Sequence, residues 1–114
     1  MGEFMDIIRT RRSIRKYEDR DISDKDLGQI LESVKWAPSW ANTQCWEVVA
    51  VKEASTKEKL QGTLIENPAT KAMVQAPVVL ALCGKLQSAG YKKGETTTKF
   101  GVWFMFDLGI ATQN

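Results

Sequence analysis

The sequence predicts a single domain of mixed helix and strand. Three observations carry this expectation: apolar residues recur at helical spacing in three segments, two β-branched apolar runs are bounded by turn signals, and there is enough apolar mass for one core. With 114 residues, 43% of them hydrophobic and including four Trp and four Phe, residues 1–114 suit one domain and are a poor match to disorder.

Phe4, Ile7 and Ile8 lie at helical spacing and run into the basic stretch Arg9-Thr10-Arg11-Arg12-Ser13-Ile14-Arg15-Lys16-Tyr17, which predicts a short amphipathic helix opening onto a basic loop. Ser23, with Asp26 three residues on, forms a capping box in which Asp replaces the usual Glu or Gln. It precedes Leu27, Ile30, Leu31 and Val34 at i, i+3, i+4 and i+7, so a helix is expected from there to Trp36, stopped by Pro38. Trp46-Glu47-Val48-Val49-Ala50-Val51 reads as a strand buried on both faces. Helix-like charge and Leu spacing follow from Ser55 to Leu64, then a turn at Asn67-Pro68, then a second interior strand from Pro77 to Cys83. Residues 85 to 98, with Gly90, Gly94 and three consecutive threonines, read as an exposed, mobile loop. From Phe100 to Asn114 apolar residues cover nearly the whole helical circumference, which predicts a central helix needing partners on several sides.

The charge balance restricts the class of partner. Sixteen basic against fourteen acidic residues leave a net charge of +2, too little to draw nucleic acid or a membrane by bulk electrostatics, so anion recognition has to be local. No stretch approaches the roughly 20 apolar residues of a membrane span, and the start of the chain has neither a basic leader nor an apolar run, so a cytoplasmic protein is expected. Cys45 and Cys83 are widely separated and predicted to be free thiols. With no histidine, His-based triads and HExxH metal sites are excluded, and no catalytic side chain or metal ligand is assigned.

Two constellations carry chemistry. Arg11, Arg12 and Arg15 bracket Ser13; guanidinium forks bind phosphate bidentately and a hydroxyl can complete the cradle, although a basic run taken alone is more often a solvated face. Pro38-Ser39-Trp40-Ala41-Asn42-Thr43-Gln44 is a polar loop between a helix and a strand. Its amides can read the edge of a heterocycle, although alone it is more often a helix stop and turn.

Taken together, Arg-Arg-Ser-Ile-Arg-Lys-Tyr followed by a capped helix ending in Trp-Ala-Pro-Ser-Trp-Ala-Asn-Thr-Gln-Cys-Trp-Glu-Val-Val resembles the opening of the nitroreductase family of FMN-dependent NAD(P)H oxidoreductases. Gln75-Ala76-Pro77-Val78-Val79-Leu80 resembles that family's Ala-Pro strand, and Trp103 to Asn114 resembles the start of its long central helix. The resemblance implies an α+β sandwich, a mainly antiparallel sheet flanked by helices, forming a homodimer with FMN at the subunit interface. It implies that Arg11, Arg12, Ser13 and Arg15 hold the FMN phosphate and ribityl chain, while Pro38, Ser39, Trp40, Asn42 and Gln44 approach the same flavin from the other subunit. Asn67 and Lys71 fall where the family often adds flavin contacts. NADH or NADPH would be the reductant and a nitroaromatic, quinone or similar flat small molecule the acceptor, in a ping-pong flavin cycle.

The chain departs from the family pattern at Trp40, where a small residue is common, and at Cys45, where proline is usual. The family's carboxy-terminal part is also absent, so the chain is expected to be an amino-terminal portion truncated at its carboxy end. Two competing expectations stand beside this one: a non-catalytic flavin-binding or interaction fragment, and a small nucleic-acid binder using Arg9 to Lys16, which the balanced charge disfavours.

Overall fold

The computed structural model of the protein describes residues 2–114. It is an α+β structure of five helices, α1 (Gly2–Thr10), α2 (Asp24–Lys35), α3 (Ala54–Gln61), α4 (Thr70–Gln75) and α5 (Phe104–Gln113), and four strands, β1 (Trp46–Val51), β2 (Val79–Gly84), β3 (Tyr91–Lys92) and β4 (Glu95–Thr96). No helix among the described residues is long and apolar enough to cross a membrane.

Helix α2 starts as its sequence dictates. The Asp26 N–H donates to Ser23 Oγ at 3.0 Å, and the Ser23 hydroxyl donates to Asp26 Oδ2 at 2.7 Å, so the two side chains close the cap between them. Such a cap contributes about 0.5–2 kcal/mol. The helix ends at Trp36, whose N–H donates to the Ser33 carbonyl while the Ala37 N–H donates to that of Val34, each at 3.1 Å.

Strands β1 and β2 pair antiparallel, with Trp46 opposite Gly84, Val48 opposite Leu82 and Val51 opposite Val79. One face of this pair meets α2 and α5 around buried Val34, Ala37 and Ala111, with Trp46, Val48, Leu82 and Ile110 packed against them. Gly84 is what lets α5 lie so close: a Cβ there would fall 2.5 Å from Phe104 Cδ2 and 3.1 Å from Leu108 Cδ1.

The two runs read as interior strands are not buried on both faces. Val49 is 51% exposed and Glu47 and Cys83, opposite one another, face solvent, so β1 alternates as a strand with one covered face does. A β-branched run reports strand propensity, whereas burial is decided by what packs on each side.

The stretch 85 to 98, predicted as an exposed loop, holds the β3–β4 hairpin, closed by Lys93 and Gly94, both at positive φ. Two residues at positive φ match the twist of paired strands. Just before it Ala89 is 1% exposed, and Gly90 is buried with φ +84°. A two-residue strand is too short to show a period, so composition hid it. Helix α4 was also not anticipated; Asn67 starts it, its Oδ1 accepting from the Ala69 N–H at 2.8 Å and its carbonyl from the Thr70 N–H at 3.1 Å. Lys57 ties α3 to the end of α4, its buried ammonium donating to the carbonyls of Ala76 at 2.7 Å and Val74 at 3.3 Å. The last helix begins at Phe104 rather than Phe100, which is 74% exposed.

Candidate functional site

The loop between α2 and β1 is held in an unusual shape. Ala41, Asn42 and Gln44 all have positive φ, at 47°, 52° and 45°. The left-handed region costs about 1–2 kcal/mol for a residue with a Cβ such as Ala41 or Gln44, and less for Asn42. Strain of this kind persists only where neighbouring bonds over-determine the backbone, and it concentrates at ligand sites.

Three sets of bonds do so here. A short 3₁₀ turn forms as the Asn42 N–H reaches the Ser39 carbonyl and the Thr43 N–H that of Trp40, each at 3.0 Å. The Gln44 N–H donates to Ser39 Oγ at 2.9 Å. From the far side, the Trp40 N–H donates to both carboxylate oxygens of Asp107 on α5, at 3.2 and 3.1 Å.

That last bond joins the two walls of an apolar groove of about 270 Å³. Pro38, Ser39 and Trp40 form one wall and Trp103, Phe106 and Ile110 the other. Trp103 and Phe106 meet edge to face, with centroids 5.7 Å apart and planes at 87°. Trp103 is fixed in turn by the hairpin region: its N–H donates to the Ala89 carbonyl at 3.2 Å, and its indole Nε1 to Thr98 Oγ1 at 3.0 Å. Cys45 is buried with Sγ 3.8 Å from Asp107 Oδ2, while Cys83 is exposed; both are free thiols. Burial pushes the Cys45 thiol above its ordinary range, and the adjacent Asp107 carboxylate adds to the effect.

The arginine segment lies elsewhere. Arg11, Arg12, Ser13 and Arg15 are all exposed, and none of them lines the groove. Arg12 Nη1 donates to the carbonyls of Arg9 and Arg11 at 2.7 and 2.8 Å, and Arg15 Nη1 to that of Ser13 at 3.4 Å. No ion pair among the described residues includes Arg11, Arg12 or Arg15, so their charge is not neutralised within the chain. Of the loop residues, Pro38, Ser39 and Trp40 line the groove while Asn42 and Gln44 are exposed beside it. Asn67 Oδ1 is engaged in its own turn, and Lys71 is exposed on α4. A separate open cleft of about 450 Å³ lies between the Lys16–Asp26 stretch and Pro77, lined by none of the predicted site residues.

Asp107, Trp103 and Phe106 were not singled out as site residues from sequence. The signal was there for Asp107: it is the one charged residue in the apolar run from Val102 to Ala111, where a carboxylate needs a reason to be buried.

The amide-rich loop with its positive-φ residues thus stands over an aromatic groove, on an antiparallel strand pair packed against helices. The nitroreductase family pattern matches residues 8–114, and the chain belongs to that family. The FMN reductase (NAD(P)H) of Bacillus subtilis is 34% identical over 89 residues, 78% of this chain and 34% of its own. The structure of NfrA2 from B. megaterium superposes with a TM-score of 0.80 at 27% identity, over 99% of this chain and 48% of that one. A solved structure in complex with FMN, from Exiguobacterium sibiricum, superposes with a TM-score of 0.60 at 32% identity, over 71% of this chain and 38% of that one. The chain spans about half the length of the curated relatives it matches, or less.

Proposed function

We propose that this chain supplies part of an FMN site shared between two copies in a cytoplasmic homodimer, which acts as an NAD(P)H-dependent oxidoreductase on nitroaromatic, quinone or similar flat acceptors. The observation that carries the reading is the loop of Trp40 to Gln44, held in a costly backbone shape beside an aromatic groove.

The residues present fit half of such a site. The groove, at about 270 Å³, falls just below the roughly 300–1,000 Å³ of pockets that enclose a small molecule. Arg11, Arg12 and Arg15 offer exposed guanidiniums without carboxylate partners among the described residues, and Ser13 adds a hydroxyl. Because the two sets lie apart in one chain, we assign Arg11, Arg12, Ser13 and Arg15 to the phosphate and ribityl chain of one FMN. We assign Pro38, Ser39, Trp40, Asn42 and Gln44 to the ring of the FMN held mainly by the partner copy. The exposed apolar residues Phe4, Ile7 and Ile8 on α1, and Met105 and Phe106 on α5, support pairing of copies. Two free thiols agree with a reducing compartment.

Bound FMN would supply the redox chemistry, accepting hydride from NADH or NADPH and passing electrons to the acceptor in a ping-pong cycle. The chain's own groups bind, orient and desolvate: Trp40, Trp103 and Phe106 exclude water from one side, and the amides of Asn42 and Gln44 present donors and acceptors to a ring edge. No side chain of the groove is assigned a proton.

The test is an absorbance spectrum of the purified chain, with sizing and addition of NADH or NADPH to the same sample. Flavin absorbance in a dimer that bleaches on reduction supports the proposal. A yellow protein that oxidises no NAD(P)H favours the second reading, a flavin-binding fragment without turnover, which the separation of the arginine segment from the groove supports. A colourless monomer that gains no flavin bands from added FMN refutes both.

A further inference from the structure

Asp107 is 1% exposed, and no ion pair among the described residues includes it. A buried carboxylate without a cation is poorly placed for stability, since an apolar side chain of similar size avoids the desolvation penalty. Its polar contacts all lead to one segment. Both oxygens accept from the Trp40 N–H, and Oδ2 faces the Cys45 thiol. It is the one side chain of α5 hydrogen-bonded to the loop between Trp40 and Gln44 among the described residues, and three of those five residues have positive φ.

We infer that Asp107 is a positioning residue for the flavin-facing loop: from α5 it holds the Trp40 N–H, and with it the strained backbone that presents Ser39, Asn42 and Gln44 to the ring. This rests on the FMN reading above. Asp107 acts through the loop. Its burial beneath Trp40 explains why an acid persists in an otherwise apolar stretch of helix.

The experiment titrates FMN into the 114-residue chain and three kinds of variant, with a thermal melt of each without FMN. Asp107→Leu and Asp107→Ala both remove the hold, the first without leaving a void; either one that folds serves. Each is expected to bind FMN about tenfold more weakly or worse, the equivalent of one lost charge-assisted hydrogen bond. Asp107→Asn keeps an acceptor oxygen and is expected to stay within about threefold of the parent. Val34→Ala, in the core and outside the groove lining, is expected to melt lower with FMN affinity unchanged. The proposal predicts that affinity and melting temperature part company, the leucine variant losing affinity without melting below the parent. Parent-like affinity in the leucine or alanine variant, or a loss in the valine variant matching theirs, overturns the role of Asp107 and leaves the flavin reading standing. A parent chain that takes up no FMN overturns the flavin reading and this inference together.

Discussion

Gly90→Ala probes how the hairpin side of the groove is held. Gly90 has φ +84°, and a Cβ on it would lie 2.3 Å from Trp103 Cδ1 and 2.5 Å from the Gly101 carbonyl oxygen. The backbone conformation alone costs about 1–2 kcal/mol for alanine. The overlap adds about 1–3 kcal/mol as Trp103 or the Gly101 peptide is forced aside. The sum, roughly 2–5 kcal/mol, is a large part of the 5–15 kcal/mol by which domains of this size are stable. At about 4 °C per kcal/mol for a chain near this length, the melting temperature should fall by about 8–20 °C. Gly94→Ala is the matched control, because it has φ +82° with nothing within 4 Å of the added Cβ, and so carries only the backbone part. Thermal unfolding followed by circular dichroism and tryptophan fluorescence measures both. If the Gly90 variant loses no more than the Gly94 variant, the contact with Trp103 does not hold the groove wall, and the reasoning about that wall is wrong.

Three further outcomes follow from other contacts of the fold. Cys83 should react with a small alkylating reagent in the native state, while Cys45 should react only on unfolding, as peptide mapping would reveal; rapid native labelling of Cys45 would contradict its burial. Because the Cys45 thiol is shifted upward in the folded chain, its contribution is fully present below the ordinary thiol range. It is lost as pH rises through the folded value, so urea stability should decline at alkaline pH and Cys45→Ala should flatten that decline. Lys57→Met keeps the aliphatic stem but leaves the carbonyls of Ala76 and Val74 without their donor; a loss of about 1–3 kcal/mol in urea denaturation is expected, and an unchanged midpoint would mean the tie is decorative.

What could be read from sequence was whatever has a period or a local cap. Helix α2 declared itself through Ser23, Asp26 and the spacing of Leu27 to Val34, and β1 through its β-branched run. The polar loop of residues 38 to 44 was recognised by composition, but its strain was not, because positive φ at Ala41 and Gln44 is imposed by bonds to Ser39 and to Asp107, 67 positions from Trp40. The same distance hid the groove: Trp103 and Phe106 read as core residues of a helix until the fold set them opposite Trp40. The short hairpin and α4 escaped because two strand residues and six helical ones carry too little pattern to outweigh glycine and proline.

The β1–β2 register also carries an expectation about the order of assembly. Strand pairing must close over the stretch from Lys52 to Val78, and a loop's closure entropy rises by about 0.6 kcal/mol with each doubling of its length. Helices α3 and α4 lie inside that stretch and are tied to each other through Lys57. Once they dock, the ends that must meet are separated by a compact hairpin of helices instead of slack chain, so the local pair is expected to fold first and the sheet to close on it. In stopped-flow refolding, Lys57→Met should therefore slow the folding limb rather than only hasten unfolding.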